Sequence, residues 1–114
     1  MCEFGCGRRA TNAAHRKRKG QGGLWSPVNL IDSCGSGTTG CHGVLTVDPD
    51  YAKTGGWEVR ADQDPEEVPV WLATVEGAGW WLLTFDGDGH VRVPVPDPER
   101  YDLPARPRLP WEPR

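Results

Sequence analysis

The sequence predicts a small α+β fold, in which a cysteine-clamped N-terminal unit leads into a β-hairpin or meander and then a proline-rich tail. Three observations carry that expectation. The four cysteines fall in two pairs, Cys2 with Cys6 and Cys34 with Cys41. Helix start and stop signals crowd residues 39–56, and apolar and aromatic residues cluster between turn signals over residues 70–95. A length of 114 residues suits one domain, and 37% apolar content with 15 Gly and 11 Pro implies a small core and many turns.

CEFGC at residues 2–6 sets two thiols four positions apart, and Cys34 and Cys41 flank GSGTTG, whose glycines allow a tight turn. Two such pairs suit one tetrahedral structural zinc site made of Cys2, Cys6, Cys34 and Cys41. A zinc clamp of that kind adds about 10–16 kcal/mol of apparent binding energy in zinc-finger peptides. Two disulfides or four free thiols stand as alternatives. Disulfides need an oxidising compartment, and MCEFGCGRR lacks the apolar stretch of a secretory signal, so a cytoplasmic location is expected.

Residues 10–19, ATNAAHRKRK, bring His15 directly before a basic run. A histidine there can deprotonate water while neighbouring cations hold a phosphate backbone, although a lone surface histidine is commonly inert. GQGGLWSPVNL then supplies a glycine turn, Trp25 as an expected core anchor, and Ser26-Pro27 opening a short turn. Asn29 after it can pin a loop through its amide or make local backbone bonds.

Thr39 is placed to cap a helix from Gly40 to Val47, with His42 and Thr46 on one face at i and i+4. Asp48-Pro49 restarts helix and Gly55-Gly56 ends it. WEVRA at 57–61 alternates and predicts a strand, and ADQDPEEVP predicts an acidic linker. VWLATVE and GWWLLTFDGDGHVRVPV predict a hairpin or meander with turns at 76–79 and 86–89. The DGDG of the second turn lacks the later bidentate Glu of a calcium loop. Trp71, Trp80, Trp81 and Phe85 give this hairpin an aromatic surface, either packed on the domain or offered to a protein partner. Beyond residue 95 the prolines predict an extended tail, docked only through Tyr101, Leu103 or Trp111. The expected organisation is therefore 1–60, 61–95 and 96–114.

The charge is divided between the halves of the chain. Residues 1–45 carry six Lys/Arg against two Asp/Glu, whereas residues 46–114 carry seven against fourteen. An acidic chain with one basic segment points to an anionic partner such as nucleic acid, or else to a solvated basic turn. The candidate phosphate contacts are Arg8, Arg9, Arg16, Lys17, Arg18 and Lys19. No run of about 18 apolar residues is present, so no membrane span is expected.

Over residues 2–60 the chain resembles the HNH endonucleases, in particular the small HNH proteins of bacteriophages that infect actinobacteria. The resemblance rests on the cysteine knuckle, ATN followed by His15 and the basic run, QGGLWSPVNL, CGSGTTGCHG, and the Pro, Trp and VR of residues 49–60. It implies a ββα-metal (His-Me) finger braced by the four-cysteine zinc and hydrolysing phosphodiesters of double-stranded DNA. His15 is then similar to the general base, Asn29 to the asparagine that orients its loop, and His42 to the helix histidine that ligates a catalytic Mg2+ or other divalent ion. The family's first metal ligand precedes the base, where this chain has Ala14, and the subgroup's further histidine falls at Thr46. Such an ion needs at least two protein ligands. The resemblance therefore implies either a weakened DNA endonuclease or an inactive HNH-like phage protein that binds DNA or a protein partner, such as packaging machinery or a host defence complex. A phage origin would put it in the host cytoplasm.

Overall fold

Two antiparallel sheets and two short helices share one core in the computed structural model, which describes residues 1–18, 25–89 and 91–113. Strands β1 (Asn12–His15) and β2 (Leu30–Ser33) pair antiparallel, with Asn12 opposite Ser33 and His15 opposite Leu30. Helix α1 spans Gly40–Val47, and α2 spans Pro49–Thr54. Both begin where the sequence signals put them, but their caps differ in chemistry. The Asp48 carboxylate accepts from the Tyr51 amide at 3.2 Å and so caps α2. The Thr39 hydroxyl makes no cap bond to α1 and instead accepts from the Ser36 amide at 3.1 Å, which closes the turn between the cysteines. Gly40 has φ +64, and a Cβ there would lie 2.9 Å from the Cys34 carbonyl oxygen, so this turn requires glycine.

Residues 57–61 do not form the expected strand. Their alternation is real, with Trp57 and Val59 each 1% exposed. The segment nevertheless lies along no partner strand: the Val59 amide donates to the Arg16 carbonyl at 3.0 Å, while those of Trp57 and Glu58 turn back to Ala52. Periodicity reported burial, and the hydrogen-bonding partner that makes a strand was missing.

The second sheet runs β3 (Val70–Thr74), β4 (Gly77–Leu83) and β5 (Arg92–Pro94), in that order and antiparallel. The first turn falls at Val75–Glu76, earlier than expected, because the Thr74 hydroxyl accepts from the Glu76 amide and donates to the Gly77 carbonyl, each at 3.1 Å. In the second, the Asp86 carboxylate accepts from the Asp88 amide at 2.8 Å. Trp71 and Trp80 face each other across β3 and β4 with ring centroids 5.7 Å apart, nearly perpendicular.

One apolar cluster draws on every part of the chain: Cys2 and Phe4 from the knuckle, Ile31 from β2, Leu45, Ala52, Trp57, Leu72, Trp81, Leu83, and Leu109 from the tail. The tail is held at more points than its prolines suggested, and its apolar anchor is Leu109 at 6% exposure, whereas Tyr101 and Leu103 are only half-buried. The indole N–H groups of Trp111 and Trp80 donate to the carbonyls of Phe4 (2.7 Å) and Pro104 (2.9 Å), and the Tyr51 hydroxyl donates to the Arg108 carbonyl. Among the described residues, no helix is long and apolar enough to cross a membrane.

Candidate metal centre and histidine cavity

The four cysteines come from two turns that the fold brings together. In the first, the Cys2 amide donates to the Arg8 carbonyl at 2.9 Å, which curls residues 2–8 on themselves. In the second, the chain reverses between β2 and α1, delivering Cys34 and Cys41. The four sulfurs lie within 4.8 Å of one another, with Cys6 and Cys34 at 3.6 Å. Sulfurs bound at about 2.3 Å to one tetrahedral zinc would sit about 3.8 Å apart, whereas a disulfide requires about 2.05 Å. None of the four cysteines is disulfide-bonded, and the sulfur separations do not suit the disulfide alternative. The group can therefore hold a metal ion such as zinc. The Arg8 and Cys41 amides each point at a sulfur, of Cys6 and Cys34 respectively, at 3.4 Å, as donors that stabilise thiolate charge. A hydrogen bond with Cys41 pulls the Cys2 thiol down to about 5, and that same contact pushes Cys41 up, while burial raises Cys6.

A cavity of about 280 Å³ opens on another side of α1, lined by Ala13, Ala14, His15, Arg18, His42, Leu45, Thr46, Trp57 and Glu58. His15 ends β1 and His42 sits in the first turn of α1, so the cavity brings these two sequence candidates together. Burial and, less strongly, the charge of His15 hold the His42 imidazole below its ordinary pKa. His42 Nδ1 is buried with no hydrogen-bond partner among the described residues. Asn29 is 2% exposed and lies behind His15: its Oδ1 accepts from the Lys17 amide at 2.8 Å and its Nδ2 donates to the Lys17 carbonyl at 3.0 Å. That amide clamp fixes the backbone two residues after His15.

Ala14 lines the cavity with no donor atom, and the Thr46 hydroxyl donates to the His42 carbonyl at 3.0 Å, within its own helix. Neither Asp32 nor Asp48 lines the cavity. The acid that does is Glu58, which the sequence reading did not single out. Its carboxylate pairs with Arg18 at 2.8 Å and its side chain is 11% exposed. Nothing local marks a partner forty residues away. Among the described residues, the four cysteines are the one group of three or more His, Cys, Asp or Glu close enough to share an ion.

The basic run divides. Arg8 and Arg9 are exposed, Lys17 is half-buried, Arg18 is tied to Glu58, and Lys19 lies outside the described residues. Arg16 must be removed from the phosphate-contact set. It is 0% exposed, and its Nε, Nη1 and Nη2 donate to the carbonyls of Gly56 (2.8 Å), Pro65 (2.7 Å) and Val68 (2.7 Å). Burial, and less strongly Arg92, pulls its pKa down to about 9, still above neutrality, so it enters the interior as a cation. Trp25 also departs from expectation. It is 66% exposed, not a core anchor, and stands edge-on to His15 with ring centroids 4.4 Å apart.

No protein-family model matches this chain, and neither the curated proteins nor the solved structures yield a match.

Proposed function

We propose that the chain is an HNH-type ββα domain, braced by zinc on Cys2, Cys6, Cys34 and Cys41, that binds duplex DNA and hydrolyses its phosphodiesters slowly. The single observation that carries this reading is the meeting of His15 and His42 at one cavity between a strand pair and the following helix, with Asn29 clamping the loop behind His15. In this reading His15 accepts a proton from the attacking water, a role worth typically 10²–10⁴-fold. Asn29 keeps that imidazole aimed by holding the Lys17 backbone. Arg8, Arg9 and Lys17 neutralise phosphates and carry no sequence preference of their own.

A catalytic divalent ion would supply Lewis-acid stabilisation of the scissile phosphate. The cavity fits such an ion poorly. His42 offers one imidazole, Ala14 offers nothing, and the Thr46 oxygen is a weak neutral donor. That deficit favours a second reading, an HNH-like domain that binds DNA or a protein partner without cutting.

Incubating supercoiled plasmid with the purified protein and Mg2+, Mn2+ or Ni2+ separates the two. Nicking that disappears in His15→Ala and rises when Ala14→His and Thr46→His are combined supports the nuclease. A shifted but intact plasmid supports the binder. With neither nicking nor shift, both DNA readings fall.

A further inference from the structure

We infer that Trp25 is a base-stacking residue and that the DNA received at the His15–His42 cavity carries an unpaired nucleotide there; this rests on the DNA-directed reading above. The first observation is exposure. Trp57 and Trp81 are 1% and 7% exposed, Trp111 is 48%, and Trp25 is 66%. The second is position. The Trp25 ring stands nearly perpendicular to that of His15, at 4.4 Å and 86°, so the exposed indole sits against a lining residue of the cavity. The third is anchorage. The Asn29 amide donates to the Ser26 carbonyl at 2.8 Å, Pro27 fixes the turn, and the Asn29 side chain ties this turn to Lys17. An exposed large apolar ring thus directly precedes a braced turn, with Lys17 two residues after His15 in the chain.

Single-stranded nucleic acid is gripped where cations take the phosphates and an exposed aromatic ring takes a base. Within a duplex each base face is covered by its neighbours, so an indole gains stacking only from a base that is already unpaired or has been flipped out. Phosphate contacts serve paired and unpaired DNA alike. The indole is therefore the group that discriminates, and one stacked base corresponds to an affinity ratio of about 5- to 150-fold.

The test measures binding of the full-length protein, without added divalent cation, to a short duplex and to the same duplex with a gap carrying 2-aminopurine. The expected result is about tenfold tighter binding of the gapped DNA, with 2-aminopurine fluorescence quenched. In Trp25→Ala the gapped-to-duplex ratio falls to near one, and in Trp25→Phe much of it is kept. Equal affinity of the parent protein for both DNAs overturns the inference while leaving the DNA-directed reading intact. So does a Trp25→Ala variant that weakens both by one factor, since that assigns the ring to orienting His15. Failure to bind either DNA overturns the underlying reading and this inference with it.

Discussion

Replacing Arg16 by Met tests whether the middle of a basic run can be purely structural. Met fills part of the space but removes the donors to Gly56, Pro65 and Val68. Gly56 is buried, so its carbonyl loses its partner to no water, a cost of about 1–3 kcal/mol. Pro65 and Val68 are half-buried and can rehydrate in part, for about 1 kcal/mol each. Removing a buried cation returns some desolvation energy, but the lost packing of the long stem offsets that. The net is about 3–5 kcal/mol, a large share of the 5–15 kcal/mol that holds a domain of this size. With a urea m-value of about 2 kcal/mol/M, the unfolding midpoint should fall by about 1.5–2.5 M at fixed free zinc. Arg16→Lys should lose nearly as much, because one ammonium cannot span three carbonyls on separate segments. Arg8→Ala with Arg9→Ala should leave the midpoint in place and weaken plasmid binding. A midpoint shift below about 0.5 M for Arg16→Met, or lost DNA binding at unchanged stability, would refute the structural assignment.

Three further outcomes are expected. Reduced protein should carry one zinc per chain by atomic absorption, lose it on acidification as protons compete for the thiolates, and lose cooperative unfolding in Cys34→Ser; substoichiometric metal in every preparation would sink the clamp. Asn29→Ala should cost about 1–3 kcal/mol in chemical denaturation, since the Lys17 amide and carbonyl lose their buried partner, and a shift within error would mean that water replaces the amide. The Glu112 carboxyl is held below its ordinary range, first by Arg106 and then by the Leu109 amide. Its contribution is therefore present above the ordinary carboxyl pKa and is lost as pH falls through the lowered folded value. Hydrogen exchange at Leu109 should accelerate over that acid range in the parent protein and be fast and pH-flat, after correction for intrinsic exchange, in Glu112→Ala, which removes the acceptor.

The legible parts of this chain were those written locally. Asp48-Pro49 and Gly55-Gly56 bracket α2 because a cap, a fixed φ and a helix stop act within a turn. The cysteine spacing anticipated four sulfurs close together because two short-spaced pairs suit one tetrahedral metal site. What stayed hidden depended on distant partners. Arg16 and Arg18 are two residues apart and chemically identical, yet one is sealed among carbonyls from residues 56–68 and the other reaches Glu58 at the surface. Trp25 went the other way: hydrophobicity predicted burial, but the indole stands outside against His15. Strand-like alternation at 57–61 likewise registered which side faces the core and could not register the absence of a neighbouring strand.

The cysteines and histidines of the candidate site all lie in residues 1–42, yet side chains and backbone from the second half of the chain brace them. Glu3, between Cys2 and Phe4, is the joint. Its carbonyl accepts from the Ala73 amide at 2.8 Å, and its carboxylate accepts from the Asp32 amide at 2.9 Å and from Arg92 at 2.6 and 2.8 Å. Arg92 in turn donates to the Leu30 carbonyl at 3.0 Å. One β5 side chain thereby ties the cysteine knuckle to β2, the strand paired with the one that carries His15. Arg16 makes the reciprocal tie, from the end of β1 to residues 56–68. Both are charged groups whose partners are lost together if either half moves, so each is worth more as a constraint on geometry than as a sum of pair energies. The C-terminal sheet, through Arg92 and Ala73, is thus joined to the cysteine knuckle and to the strand pair that carries His15, and Arg16 joins that pair to residues 56–68.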